Sequence, residues 1–285
     1  MSATTTTAPA KGRQFHLGRL LLEGRAFFAL IAIIAVFSFL SPNYFTLSNL
    51  LIMSSQVAIF GILSIGMLLV ILNGGIDLSV GSILALSGVV AGAMMQGVEL
   101  DALGVILYPP VWAVVVLTLC VGAAVGAVNG VLVAIFKVPP FVATLGVMYV
   151  ARGIALLMTN GLTYNNLRGS EALGNTGFNW LGFYRIGGVP ISVIVLAVVA
   201  IAAGLMLGRS AFGRWLYASG GNERAAELSG VPVKRVKIIV YMVSGALAAA
   251  AGLPGTKRAP YRRQSMDWHA RRHSAPRSSA HWPTR

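Results

Sequence analysis

Uncharged apolar stretches dominate the chain, and seven of them approach the roughly 20 residues that a helix needs to cross a bilayer core of about 30 Å. They run over about 26–40, 47–72, 78–97, 111–136, 141–159, 189–207 and 238–253. Only helices and closed barrels satisfy backbone polar groups in lipid, so this pattern predicts an all-α, polytopic transmembrane helix bundle. Composition agrees, with 56% hydrophobic and only 11% charged residues. Lys11, Arg13, Arg19 and Arg25 precede the first run, as in a signal peptide. The run ends at Ser41-Pro42-Asn43-Tyr44 without a small-x-small cleavage site, so it is read as an uncleaved first span.

The formal charge of +14 would suggest nucleic acid on a soluble protein. In a polytopic chain, Lys and Arg mainly mark cytoplasmic loops. With the N-terminus inside, residues 1–25, the links near 73–77 and 137–140, and the long segment 208–237 face the cytoplasm. Segment 208–237 carries six basic residues against Glu223 and Glu227, whereas the outside loops are poor in charge. The remaining excess lies in 254–285, with eight basic residues against Asp267. There an Ala-rich apolar sequence gives way to Arg, Ser, Pro and His without helical period, which reads as disorder. The short last run, 238–253, would leave that tail outside, against the charge rule, unless it is half a hairpin or does not span.

Chemistry-bearing patterns are few. Cys120 is the single cysteine, which excludes a disulfide framework and a thiolate metal cluster. No phosphate-binding G-x4-G-K-[ST], dinucleotide fingerprint, H-E-x-x-H or G-x-S-x-G occurs, so the chain has no P-loop ATPase of its own. His269 and His273 have helical spacing, but the intervening arginines and the disordered setting disfavour a metal. Asp77, between the second and third runs, reads either as an N-cap of the third helix at the membrane boundary or as a functional buried carboxylate. Arg152 falls near mid-membrane on the fifth run, where its donors need carbonyls, a carboxylate or substrate hydroxyls. Asn129 and Thr144 are polar positions that serve either a ligand or a neighbouring helix. Gly122, Gly126 and Gly130 form a stripe for close packing, within the subunit or across a dimer. In segment 208–237, Asn222 N-caps a helix of about two turns, with Glu223 in its first turn and Gly230 and Pro232 ending it.

The stretch Asn222-Glu223-Arg224-Ala225-Ala226-Glu227-Leu228-Ser229-Gly230-Val231 resembles the coupling loop of ABC importer permeases, in the form used by ribose and related simple-sugar permeases. Gly74 through Gly81, Asn129-Gly130, Pro139 through Gly146 and Arg152-Gly153 resemble the same family, colinearly from about Tyr44 to Leu253. The resemblance implies a permease domain over 26–253 in the bacterial inner membrane, paired with a second permease subunit. It also implies an ABC ATPase subunit that binds the ATP, so that no cofactor belongs to this chain, and a periplasmic sugar-binding protein. Membrane lipid surrounds such a protein and nucleic acid is not a partner. Asn222, Glu223, Ala225, Ala226 and Gly230 would then couple to the ATPase, and Asp77, Asn129, Thr144 and Arg152 are candidates for the substrate path. The family continues with further membrane helices where this chain has 254–285, so that tail is expected to be an out-of-frame product and the chain a truncated permease. The competing classes are an ATP-independent carrier or channel and a membrane protein whose tail binds anionic lipid or nucleic acid.

Overall fold

A computed structural model describes residues 24–100, 105–162, 164 and 184–255. The N-terminal segment before Gly24, most of 163–183 and the basic tail from 256, with His269 and His273, lie outside the described residues. The chain divides into two compact units, 1–57 and 58–285.

In the first unit, α1 (Arg25–Leu40) buries none of its residues. A turn follows in which Tyr44 stacks on Phe37 with ring centroids 6.4 Å apart, and Asn49 donates to the Tyr44 carbonyl at 2.8 Å. Helix α2 (Leu47–Leu72) begins in this unit and supplies the first helix of the second.

The second unit is a helix bundle. After α2 come α3 (Val80–Gln96), a hairpin of β1 (Val98–Leu100) and β2 (Val105–Leu107), α4 (Val111–Ala134) and α5 (Pro140–Thr159). A second short hairpin, β3 (Arg185–Ile186) and β4 (Val189–Pro190), leads into α6 (Ile191–Arg209). Then follow α7 (Ala211–Gly221), α8 (Glu223–Leu228) and α9 (Val233–Gly255). Five of these helices are long and apolar enough to cross a membrane, and α1 and α3 are shorter apolar helices. All seven predicted runs are therefore helical.

The last run differs most from expectation. It is not short, because α9 starts five residues earlier than its apolar sequence does, at Val233. Lys234, Arg235 and Lys237 in its first turns hid the start from a search for uncharged residues. It is also the most buried span, at 56%, against 11% for α6. The reason is the glycine stripe on α4, which packs within the chain. A Cβ on Gly126 would run into the Tyr241 carbonyl, one on Gly122 into the Gly245 carbonyl, and one on Gly130 to within 2.7 Å of the Ile238 Cα. Gly245 and Gly252 return the contact toward Gly122 and the Leu84 carbonyl of α3. Lipid tails remove the hydrophobic drive between helices, so such backbone-to-backbone approach is what holds α4 and α9 together.

Around that axis, Leu69 and Val70 of α2, Val133 of α4, Ala143 of α5, Leu216 of α7 and Val236, Val240 and Tyr241 of α9 form one apolar cluster. Ala91 and Met95, Val114 and Leu253 close the other end. Segment 208–237 is more structured than predicted. Ser210 caps α7, its Oγ accepting from the Gly213 N–H at 3.1 Å, and α7 packs on α8 and α9.

Candidate functional site

The break between α2 and α3 turns into the bundle instead of lying at its boundary. Gly74 adopts a left-handed φ of 76°, and Gly75 lies so close to Tyr241 that a Cβ would stand 2.6 Å from the hydroxyl. Asn73 donates to Ser219 Oγ of α7 at 2.7 Å, fixing the point of re-entry. Ile76 remains half-exposed there, while Asp77 and Ser79 are fully buried.

Asp77 is therefore not the N-cap of α3. Ser79 holds that position, and Asp77 Oδ1 accepts from both the Ser79 N–H at 2.9 Å and its hydroxyl at 2.6 Å. The other carboxylate oxygen accepts from Ser244 Oγ of α9 at 3.1 Å. Measured along α9, Ser244 lies about 9 Å beyond Ile238, where the uncharged part of the helix begins, at about 1.5 Å per residue. A carboxylate at that depth is costly unless its lone pairs are filled, and three donors converge on it.

Asn129 and Thr144 join the same break. Asn129 Nδ2 donates to Ser79 Oγ at 2.7 Å, while its Oδ1 is buried and unpartnered among the described residues. Thr144 Oγ1 donates to the Pro140 carbonyl at 2.9 Å and approaches the Ile76 carbonyl at 3.4 Å. Arg152 is not brought there. It lies about 12 Å further along α5 at about 1.5 Å per residue, on an exposed flank of this chain. Ser79, Tyr241 and Ser244 were missed. The i, i+4, i+7 spacing of Lys237, Tyr241 and Ser244 on α9 was the signal that could have found the last two.

At one end of the bundle stands α8. Asn222 caps it, Oδ1 accepting from the Ala225 N–H at 3.0 Å. Gly230, at φ 82°, ends it, with the Val231 N–H returning to the Ala226 carbonyl at 3.0 Å. Glu223 turns back toward its own chain, accepting from Lys237 Nζ at 2.6 Å and pairing with Lys137 at 3.8 Å. Ala226 is buried. The free face shows Arg224, Ala225 and Leu228, the last 76% exposed. Leu228 escaped the sequence reading, where it counted only as apolar packing.

The hydrogen bond from Lys237 holds the Glu223 carboxyl below its ordinary value of 4.5, against a smaller opposing effect of burial. A lowered carboxylate pKa contributes stability that is complete above the unfolded value and is lost as pH falls through the folded one. Amide hydrogen exchange of 223–228 is therefore expected to be unchanged between pH 8 and about 6 and to accelerate below about pH 4.5, once the intrinsic exchange rate is divided out. Glu223→Gln should remove that acid step.

A family model described as "Branched-chain amino acid transport system / permease component" matches residues 49–254. The ribose import permease protein of Escherichia coli strain K12 is 43% identical over 248 residues, covering 87% of this chain and 73% of the relative. Its namesake from Bacillus subtilis strain 168 is 39% identical, covering 86% and 72%. The D-allose transport system permease protein of Escherichia coli strain K12 is 36% identical, covering 81% and 67%. No solved structure matches.

Proposed function

This chain belongs to the permease components of ABC importers, and from that membership we propose that it carries ribose or a similar simple sugar across the bacterial inner membrane. It is a multi-pass transport subunit rather than an enzyme. The observation that carries the substrate class is the 43% identity to a ribose import permease, extending from the first spans through the coupling segment. The family description names branched-chain amino acids, so leucine belongs in the test as the contrasting probe. Uptake of radiolabelled ribose, allose, fructose, galactose and leucine is measured in cells carrying the intact gene cluster and in cells lacking this gene. Gene-dependent ribose or other monosaccharide uptake supports the reading; gene-dependent leucine uptake alone, or no gene-dependent uptake, overturns it.

In this reading ATP binds to a separate ATPase subunit, and a periplasmic binding protein delivers the sugar. A second permease subunit completes the path, and it would cover the flank of α5 where Arg152 is exposed. The N-terminus and α8 face the cytoplasm, as the basic bias of 208–237 requires. The sugar passes near Asp77, Asn129 and Thr144, where the unpartnered Asn129 Oδ1 is a ready acceptor for a sugar hydroxyl once the helices part. That the sequence from Pro254 onward is an out-of-frame product, entered within the last turn of α9, is tested by resequencing the coding DNA; a single clean frame with no downstream membrane-coding stretch would refute it.

The coupling surface is α8. Asn222 and Gly230 shape its ends, Glu223 and Ala226 anchor it, and Ala225 permits close approach. Leu228 supplies the apolar anchor on the partner's side. Leu228→Asp is expected to weaken co-purification of the ATPase subunit by about tenfold or more, since burying an unpaired carboxylate costs at least about 1.4 kcal/mol. Membrane levels should stay constant because the side chain is exposed in this chain. Pull-down from solubilised membranes reads both.

A further inference from the structure

Lys237, Tyr241 and Ser244 lie on one face of α9, and each grips a different part of the molecule. Lys237 Nζ donates to Glu223 of α8 at 2.6 Å. Tyr241 stands against Gly75 and donates to the Ile76 carbonyl at 3.5 Å. Ser244 donates to Asp77 at 3.1 Å. The stripe covers about 10 Å of helix at about 1.5 Å per residue, and it joins the exposed coupling segment to the buried break.

The rest of the geometry makes this join stiff. Helix α8 has six residues, too few to be stable alone. It connects to α9 through Ser229–Pro232, where Gly230 at φ 82° is a natural hinge. The bond from Lys237 to Glu223 closes a loop of fourteen residues across that hinge. Lys237 is only 15% exposed in its side chain, so this ion pair is partly desolvated, while Lys137 at 63% braces the other carboxylate oxygen loosely. Lys137 itself takes a left-handed backbone, φ 58°, which glycine would adopt more easily. The side chain kept there is the one that reaches Glu223. On the adjoining face of α9, the contacts to Gly122, Gly126 and Gly130 tie it to α4 at backbone distance.

We propose that the Lys237–Tyr241–Ser244 face of α9 is the mechanical link between the ATPase-coupling helix and the Asp77 break, with Glu223 acting inside the permease as a positioning residue rather than as a contact to the ATPase. The proposal rests on the importer reading. Displacement of α8 is carried through the Glu223–Lys237 pair into α9, and Ser244 transmits it to Asp77, the group that holds the break closed in this structure. Such transmission needs a contiguous physical connection between two sites, and this stripe supplies one.

The test uses the full chain with its co-purifying ATPase subunit in proteoliposomes, a sugar-loaded binding protein and radiolabelled ribose as the probe. The quantity read is ribose transported per ATP hydrolysed. Lys237→Met and Ser244→Ala are each expected to lower that ratio about tenfold, the size of a typical coupling between sites, while ATPase co-purification stays at the unmodified level. Lys237→Arg should retain the ratio. The exchanged pair Glu223→Lys with Lys237→Glu, which alters no buried membrane position, should recover at least half of what Glu223→Lys alone loses. An unchanged ratio in Lys237→Met overturns the link. So does a Glu223→Gln variant that loses the ATPase subunit with no recovery in the exchanged pair, because Glu223 would then face the partner. Absence of ATP-dependent transport of every monosaccharide in the uptake panel by the unmodified complex overturns the importer reading itself, and the link with it.

Discussion

Replacing Asp77 with alanine is expected to cost about 3 kcal/mol of stability and to abolish measurable transport. The carboxylate accepts from the Ser79 N–H, the Ser79 hydroxyl and the Ser244 hydroxyl. Alanine leaves all three donors without their acceptor in a fully buried setting. Each orphaned donor costs about 1–3 kcal/mol in a water-soluble protein. Polar contacts between membrane helices average only about 0.6 kcal/mol, because the unfolded chain in lipid also finds partners. The total therefore falls near the lower end of a simple sum. Asp77→Asn separates charge from shape: its amide oxygen keeps one side of the network, and its NH2 faces a donor that must rotate. A loss of about 1 kcal/mol is expected. Thermal unfolding in detergent, followed by size-exclusion of the folded fraction, measures both. Equal losses for the two variants would mean that the carboxylate's charge, and not its shape, is what matters at this position.

The second large effect is expected at Gly126, where valine should cost more than about 3 kcal/mol and deplete the protein from the membrane. Ordinary overpacking costs about 1–3 kcal/mol because side chains can move aside. At Gly126 the obstruction is the Tyr241 carbonyl and the backbone of Met242, which can yield only if α4 and α9 part. Separation would open the contacts that Gly122 and Gly245 make with the same two helices. Gly146→Val is the control, since nothing lies within 4 Å of a Cβ there, and it should change stability by no more than about 0.5 kcal/mol. Quantitative blotting of membranes, with unfolding of whatever is recovered, distinguishes the two positions. Comparable loss at both would show that glycine is needed on these helices for reasons other than contact.

The spans were readable because lipid imposes one rule on every helix that crosses it, and α2 was located to its end residues from apolarity alone. What the rule cannot see is where a helix begins among basic residues, and so α9 was foreshortened to its uncharged part. Nor does apolarity distinguish a helix facing lipid from one at the centre; α5 and α9 are equally apolar, yet 22% of the one is buried and 56% of the other. Helix α8 was legible because its cap and stop residues act locally, through Asn222 and Gly230. Asp77 was misplaced for the opposite reason. Its role depends on Ser244, which is 167 residues away in sequence, and on the route that Gly74 and Gly75 open into the bundle. Glu223 looked outward in the sequence, but its partners Lys137 and Lys237 come from two other parts of the chain.

That separation of Asp77 from Ser244 has a consequence for biogenesis. At about 5–20 residues per second of synthesis, the ribosome needs on the order of ten to thirty seconds to supply Ser244 after Asp77 has emerged. Until then the α2–α3 hairpin must wait with a carboxylate lacking its distant donor, and α4 with its glycine groove open. An insertion chaperone or a membrane protease would meet both features together on every nascent chain, and both vanish when α9 docks. Docking of α9 is thus the single step that removes both features from view.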